Sequence, residues 1–174
     1  MSTRTLISPE EYVSTRFEWE PEYVHGELRT RPMPTFVHGQ VESMLAELLR
    51  MVRRQNAIKV ATNVRCRLSD DLYLLPDVVL THAEPYEQVP TIPAIMVAEI
   101  LSPDDSYLDL TEKMAAYASW GVKHIWLINP WRKELQVWSN DQFTTVGKLE
   151  LPEFGWSCTI EDLMEGIPAE ALKR

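Results

Sequence analysis

Glycine is scarce in this sequence, at six residues in 174, and nowhere are the glycines grouped into a loop that could cradle a nucleotide phosphate. Cysteine is scarcer. Cys66 and Cys158 have neither metal-ligand spacing nor enough partners for a disulfide framework, so both are expected to be buried free thiols. No apolar run approaches the roughly 18–20 residues that cross a bilayer. The stretch from Met1 to Glu11 also lacks an apolar core of signal-peptide length. The expectation is a cytoplasmic protein with no membrane partner. Positive charge is in deficit, with 17 Lys and Arg against 26 Asp and Glu and a net charge of −9. That argues against a protein that coats nucleic acid non-specifically, because counterion release needs a basic surface. It does not exclude a nuclease, whose bound cation and local basic rim can act against the overall field.

The sequence has enough apolar residues for a substantial core: 45% are hydrophobic and 25% charged, and the length suits one domain over residues 1–174. Ser8-Pro9-Glu10-Glu11 reads as a helix start, with Ser8 capping and Pro9 in the first turn, and Pro21 limits the helix. Trp19 to Arg29 reads as a tight hairpin with His25-Gly26 at its turn. From Val37 to Gln55 the spacing of Val41, Met44, Leu45, Leu48, Leu49 and Val52 predicts a helix with one apolar face. Ile58 to Leu68 alternates as a strand. Val78-Val79-Leu80 and Ile95 to Leu101 are apolar apart from one acid, the pattern of central strands covered on both faces. Leu108 to Trp120 predicts a helix capped by Gly121, and His124 to Ile128 another buried strand. Leu135 to Ser139 and Phe143 to Val146 form a hairpin around Asn140-Asp141. A short helix near Ile160–Met164 opens on Thr159. The expected fold class is α/β, a mixed sheet flanked by helices.

The chemistry gathers between Leu75 and Tyr117. An acid inside a strand-like apolar run is costly unless it is paired, protonated or bound to a cation. Asp77 and Glu99 are two such acids, and on neighbouring strands both could reach one hard cation, for which carboxylate oxygens suit Mg2+ or Mn2+. Lys113, on the helix that follows, could orient an attacking water or stabilise charge on a phosphate. Each has a plainer reading. Asp77 could be a turn residue after Pro76, Glu99 a salt bridge to an arginine, and Lys113 a surface partner of Asp109 four residues earlier. Arg50, Arg53, Arg54 and Lys59 form a modest basic cluster, either a phosphate rim or an ordinary solvated helix end. Trp120, Trp126 and Trp138 suit packing, and Trp131 suits an exposed turn.

Pro76-Asp77, then Ala98-Glu99-Ile100-Leu101-Ser102-Pro103, then Asp109 with Lys113, Tyr117, Gly121 and Trp126, resemble the Uma-two family of the PD-(D/E)XK nuclease superfamily. Tyr23 to Leu28 is similar to that family's Leu-Ile-Asp-Gly-Glu segment, and His38-Gly39 to its His-Gly. The resemblance runs from about Leu6 to Leu163. It implies a restriction-endonuclease-like fold and a Mg2+- or Mn2+-dependent endonuclease acting on nucleic acid, with DNA the first expectation. By the same resemblance Asp77 and Glu99 are metal-binding acids, Glu27 completes the cation's shell or binds a second ion, and His38 is accessory. The superfamily's usual lysine position falls on Leu101, so its part passes to Lys113. His25 and Asn129 stand where the family has acids, and Asn129 reads as a turn residue. A homodimer is expected from the tryptophan-bearing C-terminal hairpin and the need to cut two strands. The alternative is a catalytically inactive dimeric interaction or DNA-binding module on the same fold.

Overall fold

The computed structural model describes residues 6–53, 56–103 and 105–173. Its elements in chain order are α1 (Pro9–Ser14), β1 (Glu22–Val24), β2 (Glu27–Arg29), α2 (Phe36–Arg53), β3 (Ile58–Thr62), β4 (Cys66–Ser69), β5 (Leu72–Leu74), β6 (Val78–His82) and β7 (Met96–Ile100). They continue with α3 (Tyr107–Trp120), β8 (His124–Asn129), β9 (Glu134–Ser139), β10 (Gln142–Val146), β11 (Leu149–Leu151), β12 (Trp156–Cys158) and α4 (Ile160–Leu163). The main sheet runs β10-β9-β8-β7-β6-β3, antiparallel except for the β7–β8 pair. A smaller antiparallel sheet, β2-β1-β5-β4, stands beside it, and β11 pairs with β12. The fold is mixed α/β, as the alternation of strand and helix patterns predicts.

Side-chain alternation assigns the two faces of the main sheet. Val78, Leu80, Met96, Ala98, Ile100, Trp126 and Ile128 face α2, whose Val41, Leu45 and Leu49 are fully buried against them, with α4 and β11 completing that layer. Val79, Val97 and Ile125 point the other way and meet Met114 and Tyr117 of α3. Strand β7 is buried along its whole length. The parallel step from β7 to β8 is the reason α3 lies where it does, since a parallel connection needs a crossover element.

Local chemistry sets the boundaries. Ser8 accepts from the Glu11 N–H at 3.2 Å, and α1 stops at Ser14, well before Pro21, because Thr15 turns extended. His25 (φ 50°) and Gly26 (φ 91°) make the first hairpin's turn, and Asn140 and Asp141, both at positive φ, make the second. The alternating stretch from Ile58 to Leu68 is two strands, not one. Asn63 takes φ 51°, which breaks the extended run and sends β3 and β4 into different sheets. Three rings hold β1 in place: Tyr12, Tyr23 and Tyr73 pack with centroids 5.1–5.9 Å apart. Arg65 lies over Tyr12, donates to three carbonyls of the α1 end and pairs with Glu20.

Trp126 and Trp138 are buried, and Phe143 packs edge-on to Trp138 at 4.8 Å. The hairpin tryptophan from which a dimer surface was expected, Trp138, is thus engaged within the chain. Cys66 and Cys158 are buried and free, and burial pushes both thiols up to about 12. Of the basic cluster, Arg54 and the Arg53 side chain lie outside the described residues, as do residues 1–5. Lys59 is occupied by the Ala83 carbonyl and the Tyr86 ring. Among the described residues no helix is long and apolar enough to cross a membrane.

Candidate active site

The β6–β7 register pairs Val78 with Ala98, Val79 with Val97 and Leu80 with Met96. Carried one residue further, it sets Asp77 across from Glu99. Both acids therefore fall on the face that α3 covers. Each is almost wholly enclosed, Asp77 at 2% and Glu99 at 4% exposure, so neither can be a surface charge. Helix α3 presents Lys113 and Tyr117, four residues apart, to the same spot. Lys113 Nζ lies 2.9 Å from Glu99 Oε1, and the Tyr117 hydroxyl donates to that oxygen at 2.7 Å. Lys113 does not pair with Asp109, because the helix turns it inward and leaves Asp109 exposed.

Two further groups were not singled out from the sequence. Glu22, on β1, lies 2.6 Å from Lys113 Nζ and accepts from the Leu75 N–H at 3.1 Å. Arg31, between β2 and α2, donates to Asp77 Oδ1, and its other terminal nitrogen donates to Asn63 Oδ1 at 2.8 Å. Glu22 could have been noticed: it is an acid two residues before Val24, on the inward side of a strand whose other face carries Tyr23. Arg31 carries no such signal, since the prolines that follow it, Pro32 and Pro34, read only as a strand stop.

His38, in the first turn of α2, is buried with Nε2 3.1 Å from Asp77 Oδ2, and the Ile100 N–H donates to the same oxygen at 2.7 Å. Its Nδ1 has no hydrogen-bond partner among the described residues and stands 3.8 Å from Glu42 Oε2. Glu27, on β2, is half-buried and lines the same cavity of about 1630 Å³ as Asp77, Glu99, His38 and Lys113. The hairpin carboxylate that reaches Lys113 is Glu22. Leu101 bears no charge, and its carbonyl accepts from the half-buried Trp131 indole at 3.3 Å. Asn129 caps a turn by accepting from the Arg132 N–H at 3.1 Å. His25 pairs with Asp71 at 2.7 Å on the surface, and His124 lies 2.9 Å from Glu153, away from the cavity.

Burial dominates the electrostatics, and the charges packed together in the site work with or against it. Burial pushes Glu99 up to about 7 against the pull of Lys113, and Asp77 adds to the rise. Burial would raise Asp77 too, but the His38 hydrogen bond and Arg31 hold its carboxyl below the usual range. Burial would lower Lys113; Glu22 and Glu99 outweigh it and keep the amine charged. His38 is raised because Asp77 outweighs its burial. Among the described residues no three acidic, histidine or cysteine side chains already converge as a metal cage.

A mixed sheet whose adjacent strands bring two carboxylates to a helix-borne lysine defines a restriction-endonuclease-like protein. The chain belongs to the Uma2 family, described as "Putative restriction endonuclease", which it matches over residues 9–169. The same fold occurs in the crystal structure of a "putative nuclease belonging to DUF820" from Anabaena variabilis ATCC 29413. The TM-score is 0.81 at 22% identity, covering 96% of this chain and 99% of that one. No curated protein matches the chain. Family and fold together place the protein among restriction-endonuclease-like nucleases.

Proposed function

We propose that the protein is a divalent-cation-dependent endonuclease of one domain that hydrolyses phosphodiester bonds, with DNA as substrate and Mg2+ or Mn2+ as cofactor. The observation that carries this reading is the pairing of Asp77 and Glu99 across adjacent strands with Lys113 2.9 Å from Glu99. The donor set fits a hard cation. Glu22, Glu42, Asp77 and Glu99 supply carboxylate oxygens, and among the described residues Arg31 and Lys113 are the permanent cations paired with them. With these acids ionised, four negative charges meet two positive ones, an excess suited to a divalent ion, whose binding would itself draw the proton off Glu99.

In this reading Asp77 and Glu99 hold the ion, with Glu27 a further candidate donor on the cavity wall and His38 orienting Asp77. The ion, when bound, would polarise a phosphoryl oxygen and acidify a water. Lys113 is held charged and aimed by Glu22 and Glu99, placing its ammonium where negative charge builds on the phosphate. Tyr117 holds Glu99 in one rotamer. Cutting both strands of a duplex calls for two such sites, so a homodimer is the proposed assembly, and light scattering decides it.

Cleavage of plasmid and single-stranded DNA by the wild type and by Asp77→Ala in Mg2+ or Mn2+ tests the assignment. The wild type should nick both substrates, and the variant should lose at least about 10²-fold in rate. Cleavage that survives in Asp77→Ala would sink the site. A folded wild type that neither binds Mn2+ nor cuts would leave an interaction module as the function.

A further inference from the structure

Asp77 is fully engaged by its own chain. Oδ2 takes the Ile100 N–H at 2.7 Å and faces His38 Nε2 at 3.1 Å, while Oδ1 accepts from Arg31. Oδ1 accepts one hydrogen bond, and a cation arriving on its other lone pair meets the charge of the guanidinium, so the two compete for Asp77. Beyond Asp77, Arg31 gives up one hydrogen bond in moving, to Asn63 Oδ1 at 2.8 Å. It lies in the segment from residue 30 to 35, outside any helix or strand, where Pro32 and Pro34 have no N–H for a sheet to hold. Its side chain is 23% exposed and faces the cavity lined by Glu27, Asp77, Glu99 and Lys113. Lys113 differs, being clamped between Glu22 and Glu99 at 2.6 and 2.9 Å.

Charge says where the guanidinium goes. Four carboxylates face Arg31 and Lys113, so an incoming divalent ion balances the cavity with the guanidinium still inside it but no longer needed on Asp77 itself. A phosphate entering the same cavity brings a new negative charge that needs a partner. A guanidinium is permanently charged and its planar fork matches two phosphate oxygens.

We infer that Arg31 is a phosphate-positioning residue held in reserve: it neutralises Asp77 in the empty site, yields Oδ1 to the cation, and then engages a phosphate of the bound strand. The inference rests on the nuclease reading and adds to it a competition between a side chain and the cofactor. Removing Arg31 should do two opposite things, tightening cation binding and weakening the grip on substrate.

The experiment is calorimetric titration of Mn2+ into the full chain without substrate, together with KM and kcat for a fluorescein-labelled deoxyoligonucleotide at saturating Mn2+. Arg31→Ala should bind Mn2+ about tenfold more tightly and show a KM about tenfold higher, the size of one charge-assisted hydrogen bond in each case. Arg31→Lys keeps the charge without the fork, so its Mn2+ affinity should stay near wild type while KM still rises. Arg31→Gln, closer in size, stands in if the alanine variant lacks the wild-type circular dichroism spectrum. A purely structural arginine would move neither quantity in this pattern. Unchanged or weaker Mn2+ binding by both neutral variants, in a wild type that binds Mn2+ and cuts, overturns the inference and leaves the nuclease standing. A wild type that takes up no Mn2+ overturns both.

Discussion

Glu99 sets the way the fold responds to pH. Its carboxyl is pushed from an ordinary 4.5 up to about 7, so the folded state holds the proton more tightly than the unfolded chain. The stability it contributes is complete below about 4.5 and is lost as pH rises through about 7. His38 acts in the same sense: its folded value lies above 6.5, so its contribution is present below that pH and fades above it. Asp77 has the opposite sign, and its contribution goes only as pH falls below the usual carboxylate range. The cation-free protein is therefore expected to lose stability from pH about 5 to 8, with Glu99 responsible for roughly 2–3 kcal/mol. Urea midpoints measured in chelator across that range read the slope, and Glu99→Gln should flatten much of it. A glutamine variant with the wild-type slope would show that Glu99 is not the titrating group. The acids at positions 77 and 99 were legible because a charge inside an apolar run has few explanations. Arg31 was not, because what marks it is its distance to Asn63 and Asp77, 32 and 46 positions away, which periodicity does not encode, and Glu22 left only the faint signal of an acid on the inward side of a short strand.

Helices and hairpins were read well where short-range chemistry decides them, as with Ser8 before α1, His25-Gly26 and Asn140-Asp141 at turns, and Gly121 after α3. The break between β3 and β4 was missed because it depends on one asparagine at positive φ inside an unbroken alternation. Strands β11 and β12 were missed because three-residue strands leave too little pattern. Gly121 offers a test at this scale. It sits at φ 107°, its N–H donates to the Ala118 and Tyr117 carbonyls at 3.0 and 3.2 Å, and an added Cβ would stand 3.3 Å from Pro93 Cγ. Gly121→Ala should cost about 1–2 kcal/mol, because a side chain there meets both the left-handed penalty and a proline ring. Denaturant unfolding checks it, and a midpoint equal to wild type would mean the end of α3 relaxes freely. Lys113 lies two turns away, so Mn2+ affinity should be unaffected by the same change.

Taken whole, the molecule is acidic outside and cationic at few points within its cavity. Arg29 is paired with Glu112 at 3.3 Å, Lys113 is enclosed by two acids, and Arg31 is shared with Asp77. Each phosphate neutralised adds about 0.9 to the slope of log affinity against log salt, so DNA binding should give a slope no steeper than about −3. Fluorescence anisotropy across a salt series measures it. A much steeper dependence would point to a basic footprint elsewhere on the surface. The site draws Glu22, Arg31, His38, Asp77, Glu99 and Lys113 from six separate segments, and Lys113 comes last in the chain. A polypeptide emerging from the ribosome N-terminus first has made Arg31 and His38 before Asp77, whereas Glu22 and Glu99 wait for their lysine until α3 is made. On the proposed reading, hydrolysis waits on the stretch that carries residue 113, and a chain interrupted before it is released without its lysine.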